Sequence, residues 1–102
     1  TSMRKIEVTT AFRRDFKRES RGRYQAVLNT DFPRIIDSLA RDVPLAARHR
    51  DHALTGNWSS YRDRHIKPDL VLIYRLLDGD GTEESPALLV LARLGSHAEL
   101  GL

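Results

Sequence analysis

A chain of 102 residues with a net charge of +3 suffices for one domain with a modest core, and 1–102 reads as that single domain. It contains no cysteine, which excludes disulfides, thiolate zinc sites and a cysteine nucleophile, and fits a reducing cytoplasm. No apolar run is long enough to span a bilayer and the start lacks a signal-peptide pattern; Thr1 and Ser2, ahead of Met3, read as a cloning remnant and are set aside.

Residues 4–10 alternate Ile6 and Val8 with charged residues, which predicts a half-buried strand. Thr10 is then the expected N-cap of a helix over 11 to about 20, with Phe12 and Phe16 on one face and Gly22 closing it. A second helical segment starts at Tyr24, with Val27, Leu28, Ile35, Ile36 and Leu39 at helical spacing. Asn29-Thr30-Asp31 and Pro33 predict a kink or a split within it. From Pro44 to Gly56 the chain is loop-like, and strands follow over 59–66, 70–77 and 88–94. The Pro68-Asp69 step separates the first two of these, with Asp69 opening the second, and a polar hairpin loop over 78–86 joins the last two. The strand over 70–77 is apolar on both faces and belongs in the middle of its sheet. The order β-α-α-β-β-β defines an α+β domain: an N-terminal strand, a helical hairpin and a three-stranded, largely antiparallel sheet. No repeat or low-complexity segment is present.

The basic residues cluster. Arg4, Lys5, Arg13, Arg14, Lys17, Arg18, Arg21 and Arg23 are opposed only by Glu7, Asp15 and Glu19, and Arg48, Arg50, Arg62, Arg64 and Lys67 form a second group. Such patches suit a polyanion, whose counterions are released on binding, and suit a solvated helix face equally well.

All four histidines, His49, His52, His65 and His97, lie in the second half. His52 follows Asp51 in the expected loop; His65 shares a strand face with Asp63; Arg93 and His97 flank the end of the last strand. RNA cleavage is one chemistry that would call for such a set. The ribose 2′-OH must lose a proton to attack phosphorus and the departing 5′-oxygen must gain one, work that histidine and carboxylate can do near neutral pH. Arginine's planar fork matches the charge that builds on the phosphoryl oxygens. Trp58 or Tyr61 can stack on a splayed base. Plainer roles fit each residue as well: a structural pair for His65 with Asp63 or Asp69, a turn for Asp69, a surface ion pair for Arg93, core packing for Trp58. Three histidines and an aspartate can also bind zinc, although no pair has compact ligand spacing.

Three segments choose between these readings. Arg50-Asp51-His52-Ala53-Leu54-Thr55-Gly56-Asn57-Trp58 resembles the R-D-H-x-L-x-G-x-W element of the YafQ family of toxins. Tyr61-Arg62-Asp63-Arg64-His65-Ile66-Lys67-Pro68-Asp69, running into Leu72-Ile73-Tyr74, resembles that family's Y-R-D-x-H-x-x-P-D and L-I-Y. Arg93-Leu94-Gly95-Ser96-His97-Ala98-Glu99-Leu100 resembles its closing R-x-G-[ST]-H-x-x-L. The resemblance implies a RelE/ParE-superfamily mRNA interferase, the toxin of a type II toxin–antitoxin pair. Such a toxin cuts mRNA in the A site of the 70S ribosome without metal or cofactor, in the bacterial cytoplasm. A cognate antitoxin would neutralise it, in a heterotetramer. Carried over, His52, His65, Asp69 and His97 take the family's catalytic positions and Arg93 its phosphate-stabilising one. His97 is then the expected acid, Asp69 or His52 the base, and His65 an orienting group. Lys17, Arg18, Arg50, Trp58, Tyr61, Arg62 and Lys67 are the expected RNA contacts.

The chain departs from that pattern in carrying Leu70 where the family has tryptophan and Gly101 where it has a final aromatic, so stacking would fall to Trp58 or Tyr61. Two other functions compete. A ParE-like toxin binds gyrase or another protein without cutting RNA, but needs no histidine cluster. A metal-dependent hydrolase would use the same residues as ligands.

Overall fold

The computed structural model describes residues 3–41, the backbone of 52–53, and residues 60–80 and 82–102. The elements run β1 (Lys5–Val8), α1 (Thr10–Glu19), α2 (Gln25–Asn29), α3 (Asp31–Ala40), β2 (His52–Ala53), β3 (Arg62–Lys67), β4 (Leu70–Leu77), β5 (Leu88–Gly95) and α4 (His97–Leu100). The strands form one five-stranded sheet in the order β1-β5-β4-β3-β2. β1 is parallel to β5 and the other neighbours are antiparallel.

β4 is the centre of the sheet, as its unbroken apolar sequence predicts. Leu70, Val71, Leu72 and Ile73 are fully buried and Tyr74 nearly so. Leu70, Leu72 and Tyr74 face the helices and pack with Phe12, Leu28, Phe32, Ile35, Leu39, Leu89, Leu91 and Leu94. Val71 and Ile73 face the other way, against Ala92, Leu100 and Tyr61. Each fully buried side chain of this size contributes ~1.5–3 kcal/mol.

Helix α1 starts one residue earlier than expected. Thr9, in extended conformation, ends β1 by donating its backbone N–H to Leu91 O and caps the helix with its hydroxyl, which accepts from Phe12 N at 3.0 Å. Thr10 therefore lies inside the helix. Gly22 does not close it either: α1 stops at Glu19, with Ser20 as a right-handed cap bonded to Phe16 O. The second helical segment does split, at Thr30 (φ −120°, ψ −72°), giving α2 and α3. Pro33 is the third residue of α3, where the backbone nitrogen has no intrahelical acceptor to lose, so it fits the helix start instead of breaking it.

The sheet is wider than the three C-terminal strands predicted from sequence. β1 joins it along β5, and the segment at His52, expected as loop, pairs with β3 through His52↔Asp63 and Ala53↔Arg62. α4 was not predicted either, although Ser96-x-x-Glu99 is a capping-box signature. Ser96 Oγ accepts from Glu99 N, and Glu99 Oε1 accepts from Ser96 N. Gly101, at φ 71°, ends this turn in the left-handed conformation.

Candidate active site

Strand register gathers the candidate residues at one end of the sheet. His65 pairs across with Val71, and Val71 with Gly95, so these three form one row. Two residues further along the strands, on the same face, lies the row of His52, Asp63, Ile73 and Arg93. Asp69 sits in the tight turn between β3 and β4 rather than in β4 itself, and His97 opens α4 just after β5 ends. The turn and the helix thus meet at the His65 row.

There the side chains form a chain of three. Asp69 Oδ1 accepts from the His97 backbone N–H at 3.2 Å and faces His97 Nδ1 at 3.0 Å. His97 Nε2 lies 3.1 Å from His65 Nε2. Because Asp69 can only accept when ionised, Nδ1 of His97 carries the proton, and a single proton lies between the two Nε2 atoms. The side-chain and backbone hydrogen bonds from His97 hold the Asp69 carboxyl below its ordinary range, so it is ionised at neutral pH. His97 and Asp69 are open to solvent (41% and 51% exposed), whereas His65 is buried behind them. A substrate therefore meets His97 first. The 3.1 Å Nε2 separation is hydrogen-bond spacing, and among the described residues no group of three or more acids and histidines is arranged around a possible cation.

Arg93 is tied to helix α1. Its Nε donates to Asp15 Oδ2 at 2.6 Å and its Nη2 to Asp15 Oδ1 at 3.3 Å. The ion pair weighed from sequence is present, but its acid is buried rather than on the surface. The same carboxylate accepts from Leu94 N at 3.0 Å and from Arg18 Nη1 at 3.1 Å.

The expected RNA contacts are dispersed. Lys17 is exposed on α1. Arg18 is committed to Asp15, Glu19, Glu99 and the carbonyl of Leu94. Tyr61 packs on the back-face cluster with the Arg75 guanidinium 5.8 Å from its ring centre, and Arg62 is half-buried at the start of β3. Lys67 lies 3.5 Å from Asp31. Arg50, Trp58 and the side chain of His52 fall outside the described residues.

Sequence reasoning missed two features. Asp15 occupies the inward stripe Phe12-Asp15-Phe16-Glu19 of α1, of which it and Phe12 are buried, and an acid at that spacing amid arginines was the available signal. A cleft of about 240 Å³ also opens beside Asp69, bounded by Arg23, Tyr24, Ser96 and Glu99. Over it the Arg23 guanidinium stacks 4.7 Å from the Tyr24 ring centre and donates to Tyr24 Oη at 2.8 Å.

A helical layer on a five-stranded sheet, with an acid–histidine pair where the last strand turns into a short helix, is the arrangement of the RelE-like fold. A YoeB/ParE toxin from Agrobacterium tumefaciens shares that fold at 22% identity (TM-score 0.69, covering 91% of this chain and 98% of that one). Residues 4–101 match the model of the YafQ bacterial toxins of type II toxin–antitoxin systems, and the chain belongs to that family. A YafQ protein of Haemophilus influenzae is 33% identical over 98 residues, covering 96% of this chain and 92% of that protein. The Escherichia coli K12 mRNA interferase toxin YafQ is 45% identical over 58 residues, 57% of this chain and 54% of that protein. The crystal structure of the E. coli DinJ–YafQ toxin–antitoxin complex superposes with a TM-score of 0.74 at 34% identity, covering 97% of this chain and 98% of that one.

Proposed function

We propose that this chain is an endoribonuclease toxin that cuts mRNA on the bacterial ribosome by metal-free general acid–base chemistry and is neutralised by a cognate antitoxin. The observation that carries the reading is the Asp69–His97–His65 chain, which presents an oriented, solvent-facing imidazole at the sheet end that also holds Arg93. His97, protonated on Nε2, gives its proton to the departing 5′-oxygen. Asp69 fixes the tautomer and offsets the imidazolium charge, and His65 receives the Nε2 contact between turnovers. The base is Asp69, through its other oxygen Oδ2, or His52, whose backbone lies beside Asp63. Once deprotonated, the 2′-oxygen forms a bond to phosphorus as the bond to the 5′-oxygen breaks, leaving a 2′,3′-cyclic phosphate. Arg93 stabilises the extra charge on the phosphoryl oxygens. The cleft under Arg23 and Tyr24 is roomy enough for part of a nucleotide and supplies a planar guanidinium on which a base can stack.

The test is to induce wild type and His97→Gln in a bacterial host and map mRNA 5′ ends, with cleavage on purified ribosomes followed with and without EDTA. New cuts that fall by ~10²–10⁴-fold in His97→Gln and persist in EDTA are expected. A His97→Gln chain that still cuts, or cuts that vanish with chelator, overturns the mechanism, and growth arrest without cuts points to a protein target instead.

A further inference from the structure

Helix α1 takes over one edge of β5 where β1 ends. β1 pairs with β5 only from Leu88 to Leu91, and beyond that point no strand among the described residues pairs with β5 on this side. Side chains and the cap of α1 replace it. Thr9 Oγ1 donates to Ala92 O at 2.7 Å, Asp15 Oδ2 accepts from Leu94 N at 3.0 Å, and Arg18 Nη2 donates to Leu94 O at 3.0 Å. A bulge coincides with the handover. Ile73 pairs with Arg93 but Tyr74 with Leu91, so Ala92 is an extra residue. The bulge shifts the alternation by one: Leu89 and Leu91 face the helices, and so does Leu94. Arg93 leaves the strand at this irregular point, where its neighbours along the chain do not dictate its direction.

Asp15 supplies what the strand does not. It grips the Nε–Nη2 edge of the guanidinium, and among the described residues Nη1 carries no hydrogen bond. Two of the five guanidinium donors are spent on aim, and those on Nη1 are left for an anion. Burial works against ionisation of Asp15, but the hydrogen bonds from Arg93 and Leu94 and the charges of Arg93 and Arg18 outweigh it and hold the carboxyl below its ordinary range. The carboxylate is therefore ionised at neutral pH, and the grip is charged on both sides.

We propose that Asp15 is the positioning residue for Arg93 in RNA cleavage, fixing the guanidinium through its buried carboxylate so that Nη1 meets the phosphoryl oxygens. The proposal rests on the reading of Arg93 given above. It opposes two effects that a purely electrostatic view would align. Asp15→Asn removes a negative charge near the phosphate site, which by itself favours the polyanion and would lower KM. Loss of aim instead lowers kcat, because an arginine free to rotate meets the transition state only part of the time.

Single-turnover cleavage by the full chain on ribosomes programmed with a mapped reporter mRNA separates these. For Asp15→Asn, kcat should fall by ~10–10²-fold while KM holds or falls, and Asp15→Asn added to Arg93→Ala should have no further effect. If Asp15→Asn does not fold, Asp15→Glu keeps the charge but moves it by one methylene, and the same coupling to Arg93→Ala is expected. Unchanged kcat in a folded Asp15 variant overturns the proposal, as does an equal loss with and without Arg93. Full kcat in Arg93→Ala overturns it too. None of these outcomes touches the His97 chemistry, which His97→Gln and the chelator test separately.

Discussion

Asp69 and His97, 28 residues apart, are joined through one oxygen: Oδ1 accepts the backbone N–H of His97 and holds its Nδ1. The backbone bond places the start of α4 on the β3–β4 turn, and the side-chain bond sets the ring, so position and tautomer are determined together. Asp69→Asn keeps the shape but lets the amide present either group to Nδ1. Cleavage should fall, by less than the ~10²–10⁴-fold cost of losing the acid in His97→Gln. Equal losses in the two variants, measured as single-turnover rates, would make Asp69 a proton-transfer group in its own right.

Acid should weaken the fold through Asp15. Its native pKa lies below the ordinary 3.8, so the unfolded chain binds its proton first as the pH drops. The stability it contributes is complete above 3.8 and is lost as the pH falls through the native value. Urea unfolding midpoints taken from neutral pH downward should show a steeper acid loss in wild type than in Asp15→Asn. Parallel curves would mean that the Arg93–Asp15 pair adds nothing to folding.

Gly95 is required by a close approach. A Cβ there would lie 2.9 Å from Arg18 Nη2 and 3.1 Å from Glu99 Oε1. Both are ends of flexible side chains, so Gly95→Ala should fold at a cost of ~1 kcal/mol, a thermal midpoint lower by ~4–8 °C. The displaced Arg18 would loosen the α1–α4 link, because it bonds Asp15 and Glu99 together. A midpoint unchanged within a degree would show that this link is dispensable.

The N-terminal cations divide into two kinds. Arg14 and Lys17 are exposed, whereas Arg18 is held by acids and by Leu94 O. Arg14→Gln with Lys17→Gln should reduce ribosome affinity and flatten its dependence on salt without moving the melting point. Arg18→Gln should instead destabilise the chain by ~1–2 kcal/mol, by leaving Leu94 O without its donor and Asp15 short of one. Salt-insensitive ribosome binding in the double variant and in wild type alike would make α1 a solvated face.

The elements were legible wherever one strong local signal acted alone. The apolar run of β4 placed it at the centre, and Thr30 and its neighbours marked the split between α2 and α3. Where two local signals competed, a contact distant in sequence decided. Thr9 and Thr10 are equivalent caps until Leu91 O claims the N–H of Thr9. Tyr61, a stacking candidate by type, is half-buried against the cluster of Val71, Ile73, Ala92 and Leu100, which the sequence alone does not show.

By itself the sequence determined the α+β class, the toxin family and the residue types needed for acid–base chemistry, because hydrophobic period and motif spacing are local properties of the chain. Tertiary structure alone decided how those residues are used. Asp69, His65 and His97 become one hydrogen-bonded chain only when the β3–β4 turn meets the start of α4. Asp15 and Arg93, 78 positions apart, become a pair only because β1 ends at Val8, opposite Leu91, and leaves the edge of β5 to helix α1. Hydrogen bonds act over about 3 Å, and only the folded sheet brings such distant positions that close.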